Sequence, residues 1–123
     1  MKISELYTTE LHEAGSEVEI LDDQGHKTGL FITVMGMDSK EFRQHTKRHQ
    51  KAYLESLREK KDFDEEAMMV RGLLDCTVGW RGTDEEFTKK LCAELYTKAP
   101  YIKDQLDTFM GSRENFIKAK PKS

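Results

Sequence analysis

The chain has 123 residues, of which 37% are hydrophobic and 35% are charged, and its formal net charge is −3. This length predicts a single domain over residues 1–123 that buries a core without disulfides or metal ions. The charge balance argues against nucleic acid as a partner, and no apolar run approaches the ~20 residues that span a membrane. Because the N-terminus lacks the apolar segment of a signal peptide, we expect a cytoplasmic protein whose cysteines stay reduced.

The N-terminal part of the sequence predicts a β-hairpin. The first fifteen residues have apolar positions at weak helical spacing, which fits either a short helix or a flexible arm. Val18 and Ile20 then alternate with acidic residues, and residues 30–35 are mostly β-branched or aromatic, as in strands. A turn signal predicts the hairpin tip at residues 23–29. Two strands alone are marginally stable, so the hairpin must pack on helices or pair with a further strand.

A charged helix is predicted over residues 40–60. Asp38 or Ser39 can cap it, and Glu41 completes a capping-box pattern with Asp38. Its apolar stripe is narrow, so we expect the helix to pack on one side only. The residues of that stripe are Phe42, His45 or Thr46, His49, Tyr53 and Leu57.

A second helix, predicted to begin after Asp64 and to end at Gly79, is the most apolar segment of the chain. We expect it to be the central core helix. Its inward face comprises Ala67, Val70, Leu74, Thr77 and Val78, flanked by Met68, Met69 and Leu73. The segment from Gly79 to Gly82 contains Trp80, the single tryptophan of the chain, and is predicted to be a loop between helices.

Two more helices and a short final turn complete the prediction. Thr83 and Glu86 form a capping-box pattern for a third helix, which should stop before Pro100. Pro100 suits the first turn of a fourth helix that ends at Gly111. The basic tail at residues 118–123 is expected to be mobile. The fold class is therefore α+β and mostly helical, with the N-terminal β-hairpin packed on about four helices.

Cysteine and histidine residues carry no recognisable metal motif. Cys76 and Cys92 do not form a C-x-x-C pair, and they suit the core as small apolar residues. His45 and His49 lie four residues apart and can share a helix face, but no third ligand follows at motif spacing. The sequence also lacks a nucleophile elbow and a phosphate-binding glycine loop. We therefore expect no metal, no cofactor and no catalytic residues.

Two classes of binding protein remain open. Lys47, Arg48 and Lys51 form a local basic patch, so one alternative is a small cytoplasmic nucleic-acid-binding regulator. The other class is a protein-binding module, because aromatic side chains are enriched at protein interfaces. The candidate partner-binding residues are Trp80, Tyr101, Phe109 and Phe116, for each of which core burial is the competing interpretation.

Three short motifs occur in a fixed order along nearly the whole chain. A G-x-D-S step after the hairpin is formed by Gly36, Asp38 and Ser39, and a W-x-G after the apolar helix by Trp80 and Gly82. The closing motif is a Phe-bearing helix, then a proline, then F…R-x-N-F. Its residues are Phe87, Pro100, Phe109, Arg113, Asn115 and Phe116. This order resembles the tail assembly chaperones of long, non-contractile-tailed bacteriophages, which usually have a few more residues after W-x-G.

The resemblance implies a non-enzymatic chaperone of the host bacterial cytoplasm that is absent from the mature virion. Such proteins bind the tape measure protein and keep it soluble while tail-tube subunits polymerise around it. A longer, frameshifted form would recruit the tail-tube protein, and self-association along the client leaves a homo-oligomer open. We expect the client groove on the C-terminal helical half, near Trp80, Tyr101 and Phe109.

Overall fold

The computed structural model describes residues 1–117, and the tail predicted to be mobile, residues 118–123, lies outside the described residues. The described part combines helices with a three-stranded antiparallel sheet, which confirms the predicted α+β class and the packing of the hairpin on helices. The elements are α1 (Thr9–Ala14), β1 (Ser16–Leu21), β2 (Lys27–Val34), α2 (Lys40–Glu59), α3 (Glu65–Asp75), β3 (Thr77–Arg81), α4 (Lys89–Lys98) and α5 (Pro100–Met110), with 3-10 helices at Ile3–Leu6 and Arg113–Phe116.

The hairpin is completed by a third strand that the sequence analysis missed. β2 is the central strand and pairs antiparallel with β1 on one side and β3 on the other. The predictions that Thr77 and Val78 continue a helix and that Gly79 and Trp80 form a loop are therefore wrong. These β-branched and aromatic residues are strand formers, and the free edge of β2 provides a partner for them.

One face of the sheet is apolar and carries the helices. Val18, Ile32 and Trp80 are cross-strand neighbours on this face, and Ile32 is fully buried. The central core helix is α5 rather than α3, because α5 buries four residues and α3 two. α5 packs on β1 and against α3 and α4, whereas α3 lies between α2 and α4. Cys76 and Cys92 are free and buried in the core, as predicted.

The helix boundaries follow the local capping chemistry. α2 begins as predicted, and Ser39 Oγ caps it by accepting a hydrogen bond from the Phe42 N–H at 3.2 Å. α5 begins at Pro100, also as predicted. The predicted Thr83–Glu86 capping box is wrong, because α4 begins only at Lys89 and is capped by Thr88. The residues before it are needed as a loop that leads from the sheet edge to the helix layer.

Candidate protein-docking grooves

His12 is 1% exposed and contacts residues of two motifs. These are Asp38 of the G-x-D-S step and Phe116 of the closing motif. The His12 Nδ1 accepts a hydrogen bond from the Asp38 N–H at 3.1 Å, and the ring of Phe116 stacks on the imidazole at 5.0 Å. Arg113 donates two hydrogen bonds, of 2.8 and 3.0 Å, to the Asp38 carboxylate. These hydrogen bonds hold the pKa of Asp38 below its ordinary value. The helix α1 is thus anchored to the domain through His12, whereas residues 1–7 are all exposed.

This arrangement corrects the prediction that Phe116 binds a partner. Phe116 is 1% exposed and packs edge-to-face on Phe109, with the ring centroids 5.5 Å apart. The chain is turned back over the core because the Asn115 side chain donates a hydrogen bond to the Phe109 carbonyl at 2.9 Å. The closing F…R-x-N-F motif therefore stabilises the fold, and its Phe116 is a core residue.

The W-x-G motif also has a structural role. The Trp80 Nε1–H donates a hydrogen bond to the Glu85 carbonyl at 2.8 Å, and the indole packs edge-to-face on Phe87 at 5.2 Å. Gly82 has a φ of +95°, and a Cβ at this position would collide with the carbonyl oxygen of Gly29. Only glycine combines this φ with so close a backbone approach. The loop after β3 is thereby fixed against the start of β2.

The remaining candidate residues, Trp80, Tyr101 and Phe109, do not form one site. Trp80 lines a groove of about 510 Å³ beside α4, next to the β3 edge of the sheet. Tyr101 and Phe109 line a second groove of about 660 Å³ between α5 and β1, the opposite edge strand. Gln105 crosses this second groove and binds the backbone N–H and carbonyl of Leu21. The expected single client groove is therefore divided between two edges of the sheet.

A third groove, of about 630 Å³, lies between α2 and α3 and was missed by the sequence analysis. We call it the α2–α3 groove, and its apolar and histidine lining comprises Phe42, His45, His49, Tyr53, Met69, Leu73 and Met110. The residues predicted as the inward stripe of α2 line this groove except for Leu57, which lies beyond it, and each residue of α2 keeps some exposure to solvent. The stripe therefore lines a concave surface instead of a closed core.

α2 also outruns its neighbour, and residues 54–59 of α2 lie outside the lining of the groove. α2 has 20 residues and α3 has 11, or about 30 and 16 Å of helix. Beyond His49, α2 is supported by the ring of Phe63, which packs on Tyr53 at 5.5 Å. Three apolar residues of this overhang keep large exposed fractions, namely Tyr53 at 45%, Leu54 at 55% and Leu57 at 58%.

His45 lines the α2–α3 groove at a close approach of α2 to α3. Its imidazole lies against the backbone of Gly72, where a Cβ would collide with the ring. Burial lowers the pKa of His45, and the neighbouring His49 and Arg48 lower it further. The ring is thus favoured in its neutral form, which suits an apolar contact between the two helices.

The described residues neither form a metal site nor keep the predicted basic patch together. Within residues 1–117, no group of three or more His, Cys, Asp or Glu side chains is arranged to hold a metal ion. The predicted basic patch is divided, because Arg48 forms a 3.0 Å ion pair with Asp75 whereas Lys47 and Lys51 remain exposed. None of the helices described over residues 1–117 is long and apolar enough to cross a membrane.

No family model, no curated protein sequence and no solved structure matches the chain.

Proposed function

We propose that this protein is a phage tail assembly chaperone, a non-enzymatic protein that binds the tape measure protein in the host bacterial cytoplasm. It would keep this long helical client soluble while tail-tube subunits polymerise around it, and it would be absent from the mature virion. A longer form of the chain would recruit the tail-tube protein. Two features support the proposal. The three motifs occur in the order that is seen in this family, and their residues make contacts that stabilise the fold.

The observation that carries the proposal is the open α2–α3 groove. An amphipathic helix binds by laying its apolar face into such a groove, usually through residues at i, i+3, i+4 and i+7. Met69 and Met110 lie in the lining of this groove, and methionine side chains adapt to irregular apolar surfaces. A groove of this kind suits a client that offers many similar apolar stripes rather than one exact sequence.

The overhang of α2 extends this surface. Tyr53 and Leu57 are one helical turn apart and both are exposed, so they can contact the same face of a docked helix. Gln50 and Glu65 line the same groove and provide a polar rim. An apolar centre with a polar rim is the usual organisation of a protein-binding surface.

The test is co-expression of the chain with a helical fragment of the tape measure protein from the same genome, followed by affinity purification. We expect the fragment to be soluble and to co-purify, and the double variant Tyr53→Ala/Leu57→Ala to retain about tenfold less of it. Val78→Ala is the matched control, because Val78 is 50% exposed but lies on β3, outside the groove. If the unchanged chain and both variants retain equal amounts of the fragment, the groove does not bind the client. If the unchanged chain retains none of the fragment, the proposed function is refuted.

A further inference from the structure

The surface of α2 that faces away from the α2–α3 groove is strongly basic. Residues 40–61 contain eight Lys or Arg and three Glu, although the whole chain has a net charge of −3. An α-helix turns by about 100° per residue. Residues that are spaced alternately four and three positions apart therefore lie along one line on its surface. We call the line opposite His45 and His49 the cationic stripe, and its residues are Lys40, Gln44, Lys47, Lys51, Leu54 and Arg58.

The charges of the cationic stripe are not neutralised within the fold. All four of its cations are exposed, and none of them lies within ion-pairing distance of a carboxylate of residues 1–117. By contrast, Arg48, which lies off the stripe on the same helix, is paired with Asp75, and Lys61 is paired with Glu59. Four of the six cations of residues 40–61 that have no ion pair within residues 1–117 therefore lie on one line that runs about 27 Å along the helix, and Arg43 and Lys60 are the other two.

The spacing of the stripe is that of a helix–helix seam. Steps of four and three are the spacing of the a and d positions through which two helices contact each other in a coiled coil. Two copies of this stripe would bring cations against cations, which is unfavourable. A helix with carboxylates at the same spacing would instead pair with it along its whole length, and Leu54, 55% exposed, would supply an apolar contact near the C-terminal end of the stripe.

Carboxylates beside the stripe argue against nucleic acid as its ligand. Glu41, Glu55 and Glu59 flank the cations on one side of the helix. A helix seated in the major groove of DNA has phosphates on both sides, so these three carboxylates would face phosphate groups. A partner helix can instead place Lys or Arg opposite Glu41 and Glu55 at the edge of the seam, a choice that a chain of phosphates does not have.

We propose that the cationic stripe is a docking site for an acidic α-helix of a partner protein. The partner carries Asp or Glu at alternating steps of four and three, with an apolar residue opposite Leu54. This site is separate from the client groove, because it lies on the opposite face of α2, and it does not depend on the identity of the client.

The probe is a fluorescent helical peptide of about 21 residues with Glu along one such line and a Leu at the position that would lie opposite Leu54. Fluorescence anisotropy at low ionic strength measures its affinity for the chain. We expect Lys47→Glu/Lys51→Glu to weaken binding by about tenfold or more, because like charges then face each other. The matched control Lys27→Glu/Lys90→Glu carries the same charge change at exposed positions off the stripe and is expected to bind like the unchanged chain.

A charge-reversed peptide and a DNA duplex complete the test. The same peptide with Lys in place of Glu should bind the Lys47→Glu/Lys51→Glu variant better than it binds the unchanged chain. A peptide of equal composition with its Glu residues scattered around the helix should bind weakly to every variant. The proposal is overturned if both double variants bind the acidic peptide alike, if the unchanged chain does not bind it, or if a short DNA duplex binds the stripe more tightly.

Discussion

Replacing Phe116 with alanine is expected to lower the free energy of unfolding by about 3–5 kcal/mol, the usual cost of truncating a buried aromatic residue. Phe116 is 1% exposed and lies between the rings of His12 and Phe109, so its removal leaves a cavity beneath the N-terminal helix. A domain of this size is stable by only about 5–15 kcal/mol. The variant should therefore lose a large part of its stability.

Urea unfolding followed by circular dichroism measures this loss, with Tyr101→Ala as the control. Tyr101 is another aromatic residue of the predicted partner-binding set, but it is 39% exposed. We expect Tyr101→Ala to cost about 1 kcal/mol or less, as is usual for a surface substitution. If Phe116→Ala and Tyr101→Ala were equally stable, the assignment of Phe116 to the core would be contradicted.

Replacing Gly82 with alanine is expected to cost about 2–5 kcal/mol for two reasons that add. The positive φ of Gly82 is unfavourable for a residue with a Cβ, by about 1–2 kcal/mol. The new methyl group would also meet the carbonyl oxygen of Gly29, and overpacking of this kind costs about 1–3 kcal/mol. Because the backbone of residue 82 fixes the position of the methyl group and the oxygen belongs to the backbone of Gly29, the clash can be relieved only by moving the β3 loop away from β2.

Two other glycines separate these contributions in the same urea experiment. Gly25 has a φ of +85° and open space where its Cβ would be, so Gly25→Ala should cost about 1–2 kcal/mol. Gly79 lies in β3 with open space and no positive φ, so Gly79→Ala should change stability by about 0.5 kcal/mol or less. A Gly82→Ala variant that is no less stable than Gly25→Ala would show that the close approach to Gly29 is unimportant.

Local signals predicted much of the fold. The hydroxyl of Ser39, the proline at position 100 and the alternation around Val18 each determine structure through neighbouring residues, and the elements that depend on them were predicted correctly. β3 was missed because its partner, β2, lies more than forty residues earlier in the chain. The β-branched and aromatic residues Thr77, Val78 and Trp80 were the available strand signal, but Thr77 and Val78 also continue by chance the periodicity of the apolar helix before them.

The candidate site could be predicted only in part. Aromatic residues mark both cores and interfaces, so the sequence alone could not distinguish buried Phe116 from exposed Tyr101. The α2–α3 groove depends on the packing of α2 and α3 with Met110 of α5, which is a tertiary feature. The Met68–Met69 pair was a usable signal, since Met69 lines the groove.

Hydrogen–deuterium exchange of the chain, free and in complex with the tape measure fragment, distinguishes the α2–α3 groove from the other two grooves. If the α2–α3 groove binds the client, the fragment slows amide exchange in α2 and α3 and leaves exchange in the segments around Trp80 and Tyr101 unchanged. Protection confined to either of those two segments, or no protection anywhere in the chain, would contradict the claim that the α2–α3 groove binds the client.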